Sequence, residues 1–268
     1  MTAILEIDAR SESVYSVPSI EPDNDQQVSI RLTDGEEVTF RWGRRFKIGS
    51  TAYWIDQAKR LPQNESFRIG NSLGEEVVFC ILGGFGIPAE TGVAAFEHLK
   101  AAGVLETDFV PNCTKVEMLL RQPIRCEATG KLIHYRFPRQ KSRCICHALI
   151  SIGAWESITD FRILRERLLT VPGIGMKTAS WILRNYFDLE SIAIVDVHVK
   201  RAGIAAGFFK PSWNLQADYD LYEASFVACA KLGGVKASIL DVCIWEQMRA
   251  FGVKGRDFLF PRSRDQKL

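Results

Sequence analysis

The stretch 168-LLTVPGIGMKTASWILRN-185 decides how the rest of this chain is read. Leu168 and Leu169 close one apolar helical pattern, and Ala179, Ile182 and Leu183 open another. The four residues Pro172-Gly173-Ile174-Gly175 leave room only for a tight connection between two helices. Gly173 and Gly175 admit backbone conformations closed to other residues and put no side chain in the way. The first N–H groups of the second helix then face outward, with the positive end of the helix dipole behind them, which suits a phosphate. The same pattern also reads as a plain αα-hairpin with a glycine turn. Lys177 shifts the balance between the two. It falls in the first turn of the new helix, where the dipole disfavours a cation. A neutral amine is what a nucleophilic lysine requires.

Nineteen residues downstream, Asp196 follows the apolar run Ile192, Ala193, Ile194, Val195 in 193-AIVDVHVKRAG-203. It reads as the N-cap of a further helix. An aspartate thus opens one helix and a lysine sits at the start of another, with one short helix between. From the residues alone, Asp196 as a simple cap and Lys177 as a simple phosphate contact remain open beside a catalytic pair.

Outward from this stretch, the chain of 268 residues is long enough for one large domain or two small ones. With 47% apolar and 25% charged residues it has the make-up of a globular protein. No apolar run approaches the roughly 20 residues that cross a bilayer. The start "MTAILEIDAR" lacks the basic opening and long apolar core of a secretory signal. Seven cysteines are scattered, most among apolar neighbours, and read as reduced thiols of an intracellular protein, cytoplasmic or nucleoid-associated. Cys144 and Cys146 are the one close pair, and their spacing fits neither a zinc knuckle nor an iron–sulfur loop, so no metal or other cofactor is expected. Residues 1–26 carry six acids against one base, a net −5; since the whole chain is +2, the other 242 residues sum to +7. A basic body suits a polyanion partner, and equally a solvated surface.

The organisation follows from pattern. Residues 1–26, acidic and with two prolines, read as a flexible tail. Residues 27–74 begin with a β-containing element: Val28, Ile30 and Leu32, then Val38, Phe40 and Trp42, alternate on either side of Asp34-Gly35, a hairpin signal. From about residue 51 the period turns helical, and residues 75–268 read as a helical body. The fold class is mostly α, about ten helices behind a small N-terminal β hairpin.

Four segments carry a family resemblance. "VPGIGMKTAS" followed by "IVDVHVKR" resembles the helix-hairpin-helix superfamily of DNA glycosylases, and within it the 8-oxoguanine DNA glycosylase/AP lyase branch. There the hairpin carries a lysine and a later Val-Asp-x-His supplies the aspartate, matched here by Lys177 and by Asp196 with His198. "YRFPRQKSRCI" (135–145) is similar to a helix-opening Gln-Lys segment of the shorter prokaryotic enzymes, and "ILDVCIWEQM" (239–248) to their Leu-Asp-x-x-x-Trp helix. The resemblance spans roughly residues 75–250.

It implies a monomeric repair enzyme that flips an oxidised base, 8-oxoguanine first, out of duplex DNA, excises it and then nicks the strand by β-elimination. In that scheme Lys177 attacks C1′ and Asp196 supports the developing cation. Gly173, Gly175 and His198 would hold a phosphate, Arg139, Gln140 and Lys141 would track the strands, and Trp245 with Asp241 would line the base pocket. Phe85 and Ile87 are the candidates for the wedge that fills the gap in the duplex. Two departures qualify the match: "LGGFGIPAETG" (82–92) lacks the asparagines usual at the gap-filling turn, and the four-cysteine iron–sulfur loop of the endonuclease branch is missing. A non-catalytic DNA-binding module, a glycosylase for another modified base, and a protein-interaction scaffold are the alternatives.

Overall fold

A computed structural model describes residues 3–6 (backbone), 25–32, 35–84 and 86–260. It divides into two compact units, Met1–Glu65 with Leu189–Leu268, and Ser66–Asp188. The chain therefore leaves its first unit, builds the second and returns. Composition suggests a different division, a β element in front of one helical body, because a chain that returns carries no local mark of doing so.

In the first unit, strand β2 (Gln27–Arg31) pairs antiparallel with β3 (Glu37–Arg41), Val28 opposite Phe40 and Ile30 opposite Val38. These four side chains are buried on one face, while the Ser29 and Thr39 hydroxyls meet at 2.7 Å on the other, as the alternation predicts. Gly35, at φ +85°, lies in the connecting turn; Thr33 and Asp34 fall outside the described residues. β1 (Ala3–Glu6) pairs parallel with β2, Ala3 opposite Val28. Its four residues lie inside the segment that charge and proline content assign to a flexible tail, so part of that tail is a strand. The signal was present in the apolar "AILEI", but its partner lies more than twenty residues on.

The helices of this unit are α1 (Thr51–Lys59), α8 (Val197–Ala206), α9 (Tyr219–Gly233), α10 (Ala237–Ala250) and α11 (Gly252–Leu259). Trp42, Trp54, Phe208, Phe209, Tyr222, Phe226 and Phe260 fill the interior. Truncating one such aromatic to alanine typically costs about 3–5 kcal/mol. Gly203 is required here, because a Cβ would overlap the rings of Phe208 and Phe209.

The second unit holds α2 (Leu73–Leu82), α3 (Ala89–Ala101), α4 (Cys113–Arg121), α5 (Pro138–Ile152), α6 (Phe161–Leu169) and α7 (Met176–Phe187), with a small hairpin of β4 (Ile124–Cys126) and β5 (Lys131–Ile133). α2 is its hub and packs on α3, α5 and α7. The fully buried Glu76 of α2 ties the unit together. One carboxylate oxygen accepts the N–H groups of Ile69 (3.0 Å) and Gly70 (2.8 Å); the other accepts Asn185 Nδ2 of α7 at 2.7 Å. The described residues hold eleven helices, in line with the ten or so that the periodicity predicts. The eleventh, α11, buries no residue and holds two glycines, so it has no apolar stripe to read. The β4–β5 strands are three residues each, too short to show a period. No helix among the described residues is long and apolar enough to cross a membrane.

Candidate active site

The glycine hairpin forms as its sequence dictates. Thr170 ends α6, Val171 and Ile174 turn their side chains inward, and Gly173 and Gly175 are exposed. Ile174 N–H donates back to Val171 O at 3.0 Å. Gly173 sits at φ +89°, and a Cβ there would lie 2.5 Å from Cys144 Sγ. Glycine is needed at this position for both reasons. Gly175 differs: it is the N-cap of α7 in extended backbone, with open space around it. Among the described residues no side chain caps α7. Its first N–H groups therefore lack intrahelical partners and face the exposed glycines, ready for an anion.

Lys177 lies half-buried in the first turn of α7. Its Nζ passes over Gly84, 3.8 Å from where a Cβ would be, and 5.8 Å from the ring centre of Trp181 one turn along. It donates to no acceptor among the described residues. Trp181 in turn seals against Gly83, where a Cβ would come within 2.7 Å of its ring, and against Phe79, at 5.8 Å between ring centres. The doublet Gly83-Gly84 thus makes room for the Lys177–Trp181 pair. Sequence reasoning passed over Trp181, although its spacing of four from Lys177 puts both on one helix face.

Lys141, expected along a DNA strand, is turned inward. Its Nζ donates to Ile81 O at 2.5 Å and reaches Gly83 O at 3.5 Å, closing the C-terminal end of α2. Burial lowers its pKa from the usual lysine value, and the nearby Lys177 cation adds to this. Tyr135, also unforeseen, donates its hydroxyl to Leu82 O at 2.7 Å. Arg139 and Gln140 are exposed at the start of α5. Ile87 is half-buried, its N–H on Gly84 O at 3.1 Å, and Phe85 lies outside the described residues.

In the other unit Asp196 caps α8. Its Oδ1 accepts both the His198 N–H (2.8 Å) and the Val199 N–H (2.9 Å). Its second oxygen has no partner among the described residues. His198 is half-buried beside it. The run before Asp196 is held by its backbone: Ala193 N–H to Glu223 (3.4 Å), Ile194 N–H to Asp241 (3.2 Å) and Val195 N–H to the Tyr219 hydroxyl (3.1 Å). Asp241, read from sequence as a base-pocket residue, is thus buried and grips the segment that carries Asp196. A carboxylate inside an apolar helix needs a partner, and here the partner is 47 residues upstream. Trp245 is half-buried, with the Arg249 guanidinium 5.4 Å over its ring, whereas Leu240 and Ile244 are in the core.

The chain matches the family model described as 8-oxoguanine DNA glycosylase over residues 58–235. It is 30% identical over 207 residues to the 8-oxoguanine DNA glycosylase/AP lyase of Saccharolobus islandicus strain Y.N.15.51, an alignment covering 70% of this chain and 90% of the relative. The protein of the same name from Saccharolobus solfataricus matches over the same shares at 30% identity. Among solved structures, the 8-oxoguanine DNA glycosylase of Thermotoga maritima superposes with a TM-score of 0.52 at 24% identity, covering 76% of this chain and 89% of that one. That of Methanocaldococcus jannaschii gives 0.52 at 22% identity, covering 74% and 84%. These two structures show the fold, and the family match over residues 58–235 together with the 30%-identical relative shows that the chain belongs to the 8-oxoguanine DNA glycosylase family.

Proposed function

We propose that the chain is a bifunctional DNA glycosylase and AP lyase that removes 8-oxoguanine from duplex DNA and then cleaves the strand. One observation carries the reading: among the described residues the Lys177 amine has no acceptor, and it sits in the first turn of a helix that opens from a glycine hairpin with no side-chain cap, the two parts that imine chemistry on a phosphate-held strand needs. The names of the relatives point the same way.

The hairpin amides from Gly173 onward hold one backbone phosphate, and the target nucleotide is extruded from the stack. Lys177 in its neutral form attacks C1′, and the glycosidic electron pair leaves with the base. Asp196 presents the carboxylate oxygen that its helix cap leaves free, supports the cationic sugar and takes up the lysine proton. The ring oxygen takes that proton as it leaves C1′ and the imine forms, so no water is lost across the Lys177–C1′ bond. A proton then departs from C2′, and the C3′–O3′ bond breaks with its electron pair on the phosphate oxygen. Water releases Lys177.

The test is a panel of duplexes, each with one lesion, scored separately for base release and strand cleavage, with borohydride present in parallel. A covalent protein–DNA adduct with 8-oxoguanine and abasic duplexes is expected. Absence of an adduct on the abasic duplex, with binding retained, would identify a DNA-binding module instead. Adducts on another damaged base alone would keep the chemistry and reassign the substrate.

A further inference from the structure

Beside the hairpin, within the second unit, lies an open cleft of about 600 Å³. Arg121 of α4, Arg136 just before α5, and Arg139 and Arg143 in the first two turns of α5 line it, and Gly173 and Cys144 form the wall it shares with the hairpin. Its charge is out of balance. Arg121 pairs with Glu117 one turn back on α4 at 2.7 Å. Arg136 stacks on Phe137, 5.0 Å from the ring centre, and Arg136, Arg139 and Arg143 have no acidic partner among the described residues. The start of α5 points the same way: among the described residues no side chain caps it, and with Pro138 in its first turn the N–H groups of Arg139 and Gln140 have no helical partner. Unpaired guanidiniums crowded into one concavity repel each other, and at an uncapped helix start they also oppose the dipole. An arrangement that works against itself in the free protein is explained by a multiply charged anion that relieves it.

We propose that this cleft seats the 5′-phosphate terminus created when the strand is cut, and so holds the product end in place. The inference rests on the lyase reading for the origin of that terminus. An internal phosphodiester carries one negative charge and two free oxygens. The β-elimination above moves the C3′–O3′ electron pair onto the phosphate, leaving a monoester with three free oxygens and a charge of about −1.5 to −2 at neutral pH. Arginine forks from different sides of a concavity match that group better than a diester passing through. Proximity agrees. Gly173 is four residues from Lys177, a separation that extended chain spans in at most about 14 Å, so the cleft wall lies within a few nucleotides of the reacting sugar.

The test uses the full chain and needs no turnover. Binding is measured to three duplexes: one with a one-nucleotide gap ending in a 5′-phosphate, the same gap ending in a 5′-hydroxyl, and an uncut duplex with a tetrahydrofuran abasic analogue. The parent should prefer the phosphate over the hydroxyl end on the order of tenfold or more, as for other charge-assisted arginine contacts. Arg136→Ala with Arg143→Ala should erase that preference, while Arg143→Lys, which keeps the charge, should keep part of it. All three arginines without acidic partners are exposed, and thermal melts check that the variants fold. Equal binding of the two gapped ends by the parent overturns the proposal, as does a preference that survives the double variant; the arginines would then only follow internal phosphates. Failure of borohydride trapping with the end preference intact would remove the lyase reading and leave the terminal-phosphate site standing.

Discussion

Two helix starts in this molecule solve the same local problem in opposite ways. α7 begins at Gly175 with no side-chain cap, and its first amides open past exposed glycines. α8 begins at Asp196, whose single oxygen Oδ1 accepts two of the amides. The first start is left for an outside anion. The second is satisfied internally, and in being satisfied it locks the carboxylate so that its other oxygen is presented in one orientation. Helix N-termini are therefore not equivalent as anion sites: an aspartate cap converts the site into a fixed negative charge, and a glycine cap leaves it positive.

The comparison breaks most sharply at Lys177. Lys177→Gln should abolish borohydride trapping altogether while the protein still binds duplex DNA, since glutamine keeps length and polarity but forms no imine. Trapping equal to the parent's would make Lys177 a phosphate contact and move the chemistry to another amine. Asp196→Asn should be smaller and selective. Asparagine also caps helices, so the melting temperature should hold. Base release should fall by a factor on the order of 10² or more, as when other preorganised electrostatic groups are lost. Cleavage at a preformed abasic site should fall less, because no glycosidic bond then has to break. An equal loss in both assays would mean that Asp196 serves the elimination itself.

The two hairpin glycines sharpen the contrast further. Gly173→Ala meets both a left-handed backbone and Cys144 Sγ, so it should destabilise the protein by about 1 kcal/mol or more and weaken DNA binding. Gly175→Ala meets open space in ordinary backbone and loses only the N-cap preference for glycine, so it should cost less than Gly173→Ala, under about 1 kcal/mol. Chemical denaturation of the pair gives the difference directly, and equal losses would contradict the geometry.

The smallest effect concerns Lys141. Burial lowers its folded-state pKa below the ordinary 10.5. Between the two values the unfolded chain binds more protons than the folded one, so this residue makes stability rise with pH across that window. Lys141→Met should remove that contribution, flattening the pH dependence of stability on the alkaline side. It should also loosen the end of α2, whose carbonyls it holds. An unchanged pH profile would show that Lys141 is solvated.

Much of this molecule is legible in its sequence because much of it is local. Helices α1 to α10 follow from apolar period, and in the structure Ser50, Ser72, Asn112 and Asp160 cap four of them, each accepting a backbone N–H two or three residues on. The hairpin of β2 and β3 follows from alternation. The glycine hairpin, the exposed amides of α7 and the cap at Asp196 are likewise set by residues within a few positions of one another, so their conformations were open to reasoning without a fold.

What tertiary structure alone decided is which distant group each polar side chain serves. Asp241 reads from sequence as a pocket residue; in the structure it holds the backbone of Ile194, with α10 packed against α8. Lys141 stands beside Arg139 and Gln140 in sequence, yet its ammonium goes inward to carbonyls of α2 sixty residues away, while its neighbours stay in solvent. β1 pairs with β2 across a long connection, and four arginines separated by up to 22 positions converge on one cleft. Local preference fixes a backbone through interactions repeated every few residues. A buried charge or a strand edge must instead find whatever partner the packing brings near, and periodicity carries no record of that choice.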